Sequence, residues 1–293
     1  MQPERRLPAA NDSDPHPRYH ASMKQPSVPA EAESLFPVDS AKSGIPAATL
    51  VIFGGSDDRG HPELLFVERS KAMRFAPGAV VFPGGRVDRV DHALGLRFGQ
   101  HLEPDDAAAR VAAIRETVEE TGLLIGLRDR PDRLAEDLRG ELLEGRSLGD
   151  WLDGASSALD LDRLAPFARW DPRFRDHRAF DTRFYLAGLN GDGEGVVSDG
   201  TENNLAFWAS AERVLDSVRS GHRSAIFPTE RNLERLASLA DFPAAVADSQ
   251  LYGIPTITPT VIEEAGETWL CIPEGCGYPV TRIPISDVSR GKG

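Results

Sequence analysis

A chain of 293 residues, 40% hydrophobic and 27% charged, can bury a sizeable core, and one elaborated domain is expected rather than a disordered polymer. Its net charge of −13 argues against a nucleic-acid surface, which needs clustered Lys and Arg, and against docking on anionic membranes. No run of about 18 apolar residues is present to span a bilayer, and a phosphorylated substrate, repelled at long range, would need a bridging divalent cation and local basic residues.

Residues 1–44 hold many Pro, Ser and Ala without a hydrophobic period and read as a disordered leader. They lack the apolar core of a secretory signal, and Glu4-Arg5-Arg6 without that core is not a twin-arginine signal. Ala47 to Phe53 predicts a strand that breaks at Gly54-Gly55, and Leu64 to Val67 predicts the next, so the two form a hairpin. Glu68 to Arg74 is a basic patch containing Arg69, Lys71 and Arg74, and Ala79-Val80-Val81 is a short strand expected to end in a turn at Phe82-Pro83-Gly84-Gly85. Residues 88–103 carry the acids Asp88, Asp91 and Glu103. Pro104-Asp105-Asp106 then opens a helix, with acids where its dipole favours them, and Gly122 ends it.

Leu123 to Leu127 predicts another strand. Asp132 to Glu144 and Ser147 to Leu159 predict helices capped by Asp132 and Ser147, with Trp151 in the core. Thr182 to Leu189 and Leu205 to Ala209 predict strands on either side of the turn-rich Asn190 to Gly195. Thr229 is expected to cap a helix with the stripe Leu233, Leu236, Ala237 and Ala240, and Asp241 the next. Thr256 to Ile285 holds two or three short strands, with Tyr278 unassigned, and residues 286–293 form a flexible tail without a peroxisomal or ER address. Cys271 and Cys276, without a second pair or a nearby histidine, exclude a zinc site and a disulfide framework and suit a reducing, cytoplasmic location.

The chemistry concentrates in the helix ending at Gly122. Glu116, Glu119 and Glu120 fall at i, i+3 and i+4, so three carboxylates share one face, while Ala107, Val111, Ile114 and Val118 share the nearly opposite, buried one. Such a face is usually solvated, but here it continues back through Ala109, Ala112 and Ala113, which predicts that something covers it. The Gly84-Gly85 backbone beside three carboxylates makes an all-oxygen nest for Mg2+ or Mn2+.

These residues resemble the Nudix hydrolases, whose signature is G-x5-E-x7-R-E-U-x-E-E-x-G-U with U apolar. Arg115, Glu116, Glu119, Glu120, Gly122 and Leu123 match, with Thr117 at the first U the loose fit. Gly85 and Arg115 lie 30 positions apart where the signature allows 14, so 16 extra residues sit inside it, and its first glutamate falls on Ala107. Any of Asp88, Asp91, Glu103, Asp105 and Asp106 could replace that glutamate, with helix-start stabilisation the favoured role for Asp105 and Asp106.

A long insertion here is similar to the branch that includes the mammalian peroxisomal CoA diphosphatase. Arg69-Ser70-x3-Arg74-x3-Gly78-x3-Phe82-Pro83-Gly84-Gly85 resembles that branch's CoA-recognition motif, although Leu64-Leu65 stands one residue too far upstream and the motif's threonine is absent. Phe180-Asp181-Thr182-Arg183-Phe184, Trp208 and Phe227-Pro228-Thr229 resemble it too, so the likeness spans about residues 45 to 285.

The resemblance implies an α/β fold, the Nudix α/β/α sandwich with a mixed sheet, the 104–122 helix on one face, and extra helices from 128–160 and 229–250. It implies a hydrolase acting on a small-molecule nucleotide, a nucleoside diphosphate linked to another group. CoA or acyl-CoA is the favoured substrate, and ADP-ribose, NADH or a nucleotide sugar, or a silent nucleotide-binding domain, are the alternatives. Glu116, Glu119 and Glu120 would hold the cation with the Gly85 carbonyl, and Glu202 is a further candidate ligand. Arg115 would orient a ligand carboxylate, Arg69, Arg74, Gly84 and Gly85 would meet the substrate, and the insertion would bulge beside the site as a wall or lid. A homodimer is compatible with the resemblance.

Overall fold

The computed structural model describes residues 44–72, 76–172, 179–191, 195, 196, 198, 200 and 202–288. The expected leader up to Ser43, Arg74, the centre of the 190–195 turn and the last five residues of the tail lie outside them.

The first strand, β1 (Ile45–Ser56), buries both faces: Ala48, Leu50 and Ile52 enter one core, Val51 and Phe53 the other. That is why it reads as a continuous apolar run. It runs on through Gly54, where the sequence suggested a break. A methyl at Gly54 would lie 2.7 Å from the Trp208 ring, so the glycine serves packing. β2 (Pro62–Arg69) returns antiparallel to β1 and includes Glu68 and Arg69, two residues of the expected basic loop. After β3 (Val80–Val81), Gly84–Arg86 is not a turn but a strand, β4, laid antiparallel on Ala47–Thr49 of β1.

The insertion folds as a helix, α1 (Arg89–Phe98), packed on α2 (Pro104–Thr121) instead of bulging away. Glu103 caps α2, accepting from the N–H groups of Asp105 and Asp106, which stand in its first turn as expected. Gly122 ends it at φ 75°, donating to the Val118 carbonyl.

The expected 123–127 strand shortens to β5 (Leu123–Leu124), paired with β6 (Arg133–Leu134). Asp132 therefore does not cap a helix. It is buried and accepts a bidentate pair from Arg163 at 2.6 and 2.7 Å, and α3 (Glu136–Leu143) starts only after it. Ser147 does cap α4 (Leu148–Gly154), which ends well before Leu159 and is followed by Ser156 at φ 50°.

β7 (Ala165–Trp170) precedes β8 (Phe180–Gly188) and β9 (Asn203–Ser210). α5 (Ala211–Arg219) and α6 (Phe227–Leu236) follow. Thr229 lies buried inside α6 rather than capping it, and Ala240 is exposed beyond its end. Asp241 caps α7 (Phe242–Tyr252) as expected. β10 (Thr256–Ile257) joins β7, while β11 (Thr260–Glu264), β12 (Glu267–Cys271) and β13 (Arg282–Pro284) form a separate small sheet. Tyr278 is a core residue that donates to Asn232 and accepts from Trp170.

The main sheet is mixed, ordered β10-β7-β8-β1-β2-β3, with β4 on β1 and β9 on β2. One core lies between it and α1, α2, α3 and α4, the other between its opposite face and α5, α6 and α7. The architecture is an α/β/α sandwich, and β1, β4 and β9 of its sheet pack against α2.

Candidate active site

The alanine face of α2 is covered as its composition required: Ala109, Ala112 and Ala113 are buried against the sheet and neighbouring elements. Over the last two turns the cover is β4. A methyl at Gly85 would lie 2.4 Å from the carboxylate of Glu116, and one at Gly84 would strike the backbone of Ala48 and Thr49. Only glycine lets this strand pass over Glu116 while pairing with β1.

Glu120 is buried and held by neutral donors, the Gly84 N–H at 2.9 Å and the Asn203 side-chain amide at 3.0 Å. Burial, reinforced by the charge of Glu116, pushes its carboxyl up to about 8 against the relief of these hydrogen bonds and of Arg69. Burial likewise pushes Glu116 up to about 7 and raises Glu119, with Arg115 opposing both shifts. Such an excess of desolvated negative charge suits a hard divalent cation with oxygen ligands.

Arg115 uses all five of its N–H donors. Nε and Nη2 make a bidentate pair with Asp91, each at 3.0 Å, and Nη2 also reaches the Arg86 carbonyl. Nη1 serves Glu116 at 2.9 Å and Glu119 at 3.1 Å. Burial works against its charge, but Asp91, Glu116 and Glu119 outweigh that and hold its pKa above the ordinary arginine value. As the side chains stand, no three carboxylate, imidazole or thiol groups among the described residues converge on a single point; Glu116 and Glu119 both lean on Arg115.

The structure thus brings Glu116, Glu119, Glu120, Arg115, Gly84 and Gly85 together. Arg69 ends β2 opposite Asn203, and its charge acts on Glu120. Arg74 lies outside the described residues. The backbone of Glu202 accepts from Ser70 N–H while its side chain is exposed, and the next residue, Asn203, makes the contact to Glu120. Sequence reasoning missed Asn203, an asparagine at a strand start that carries no distinguishing pattern. It named Asp91 only among five acids.

No protein-family model matches the chain. The solved structure of a Nudix hydrolase from Alicyclobacillus acidocaldarius is 33% identical and covers 71% of this chain and 97% of its own length, with a TM-score of 0.64. Acyl-coenzyme A diphosphatase NUDT19 of Gallus gallus is 26% identical over 80% of this chain and 79% of that protein. Putative nudix hydrolase 7 of Caenorhabditis elegans is 27% identical over 61% of this chain, and the match spans only 57% of the nematode protein.

Proposed function

This chain belongs to the Nudix hydrolase family, and on that premise we propose that residues 45–285 hydrolyse the phosphoanhydride of CoA or an acyl-CoA. The products would be adenosine 3′,5′-bisphosphate and 4′-phosphopantetheine or its acyl form. The observation that carries the reaction is the buried carboxylate cluster, with Glu116 and Glu120 desolvated beside the Gly84-Gly85 backbone. The substrate rests on Arg69 beside that cluster, on the Arg69 to Gly85 sequence pattern, and on the likeness to the chicken acyl-coenzyme A diphosphatase.

Mg2+ or Mn2+, held by Glu116, Glu119 and Glu120 with the Gly85 carbonyl, would polarise the phosphoryl oxygens and lower the pKa of the attacking water. Arg115 keeps Glu116 and Glu119 in place, and Gly84 and Asn203 do the same for Glu120. One of the three carboxylates takes the proton of the water as its oxygen bonds to phosphorus and the bridging P–O bond breaks. Arg69 would bind substrate phosphate, and Glu202 would be a further ligand. The free thiols of Cys271 and Cys276 suit a reducing cytoplasm, and no helix among the described residues is long and apolar enough to cross a membrane.

The same chemistry would serve ADP-ribose, NADH or a nucleotide sugar. Product analysis with Mg2+ across CoA, acyl-CoA and these compounds tests the proposal. Faster cleavage of CoA compounds supports it, and preference for another member transfers the assignment there.

A further inference from the structure

The signature's first glutamate is missing at Ala107, and the structure shows why none fits. α1 lies antiparallel across the start of α2 through glycines: a methyl at Gly95 would sit 2.8 Å from the Ala108 backbone nitrogen, and one at Gly99 2.9 Å from Ala107 Cβ. Ala107 is 1% exposed, so a glutamate side chain there would have to displace the insertion helix. One turn before Gly95, that same helix carries Asp91, wholly buried, which also accepts from the Asp88 N–H at 2.8 Å.

We propose that Asp91 is a positioning residue for the carboxylate cluster, supplied by the helix that displaces the usual glutamate. Its bidentate hold on Nε and Nη2 fixes the guanidinium plane of Arg115, so that only Nη1 is left for Glu116 and Glu119. With Asp91 removed, that edge of the fork is open, and bidentate pairing with Glu116 or Glu119 becomes the favoured geometry for Arg115. The carboxylate so captured is neutralised and withdrawn from a cation. The insertion is then part of the active-site scaffold, beyond any role as a wall beside the substrate.

The inference rests on the metal-dependent reading above, and calorimetric Mn2+ titration separates the two. Wild type that binds no Mn2+ removes both. If wild type binds, Asp91→Asn should bind 10- to 100-fold more weakly, the range for residues that orient metal ligands, and at saturating Mn2+ kcat should fall with KM little changed. Arg97→Ala, which cuts the outer ion pair of α1 to Asp153, should keep the wild-type affinity. In an Arg115→Gln background, where no buried cation is left unpaired, Asp91→Asn should have no further effect, because the guanidinium is its route. Wild-type affinity in Asp91→Asn, or a further tenfold loss in the Arg115→Gln background, overturns the inference. The second arm stands even if the single variant fails to fold.

Discussion

Replacing Glu120 by glutamine should make the metal-free protein more stable at alkaline pH, the reverse of what removing a paired carboxylate does. Its carboxyl is pushed from 4.5 to about 8, with burial the largest cause and Glu116 the next. A carboxyl whose folded pKa is raised binds its proton more tightly in the folded state, so stability is greatest below the unfolded pKa and is lost as pH rises through the folded one. At about 1.4 kcal/mol per pKa unit, wild type in EDTA should lose on the order of 3 kcal/mol between pH 5 and 8 through this group. Glu120→Gln keeps an acceptor for the Gly84 N–H and removes the charge. At pH 8 it should therefore be the more stable protein, by roughly 2–3 kcal/mol. Urea unfolding followed by circular dichroism, in EDTA from pH 5 to 8.5, gives the difference curve. Saturating Mn2+ at pH 8 should stabilise wild type and leave the variant little changed. A variant that trails wild type by the same margin at pH 5 and pH 8 refutes the desolvation argument.

Arg69→Ala should raise KM for CoA by about 10- to 100-fold, the loss of a charge-assisted phosphate contact worth roughly 1.5–3 kcal/mol; an unchanged KM removes Arg69 from substrate binding. Gly85→Ala puts a methyl in clash with the Glu116 carboxylate, so kcat should fall on the order of 100-fold with circular dichroism unchanged, and near-wild-type kcat would show that the close approach is dispensable. Asp132→Ala unpairs half-buried Arg163 and strips acceptors from the Gly126 and Asn190 N–H groups. It should cost about 3–5 kcal/mol in urea unfolding while leaving Mn2+ affinity intact, and a coupled loss of Mn2+ binding would contradict the separation of the two regions.

The α2 helix was legible because every signal agreed: Pro104 at its start, one apolar face, three carboxylates at i, i+3 and i+4, and Gly122 at its end. Its covered alanine face was legible for the same reason, since small residues in place of Lys or Gln mean contact. The insertion helix was not. Only Asp91, Leu94 and Gly95 of α1 are buried, and of its larger apolar side chains Leu94 and Phe98 meet the core while Val90 and Leu96 face solvent, so it presents no clean apolar period to read. Around Asp132 the local pattern favoured a helix cap, but pairing with Arg163, 31 residues away, prevailed. Asn203 acquires its role only through β2 pairing with β9, which brings it beside Glu120 across 83 residues.

The central claim, a carboxylate-dependent phosphoanhydride hydrolase for CoA compounds, is tested most directly by incubating the pure protein and its Glu116→Gln variant with CoA and Mg2+ and separating the products by chromatography. Wild type should release adenosine 3′,5′-bisphosphate and 4′-phosphopantetheine in equal amounts, with the variant on the order of a hundredfold or more slower. CoA left intact by wild type while ADP-ribose or NADH is cleaved, or equal rates in the two proteins, would contradict it.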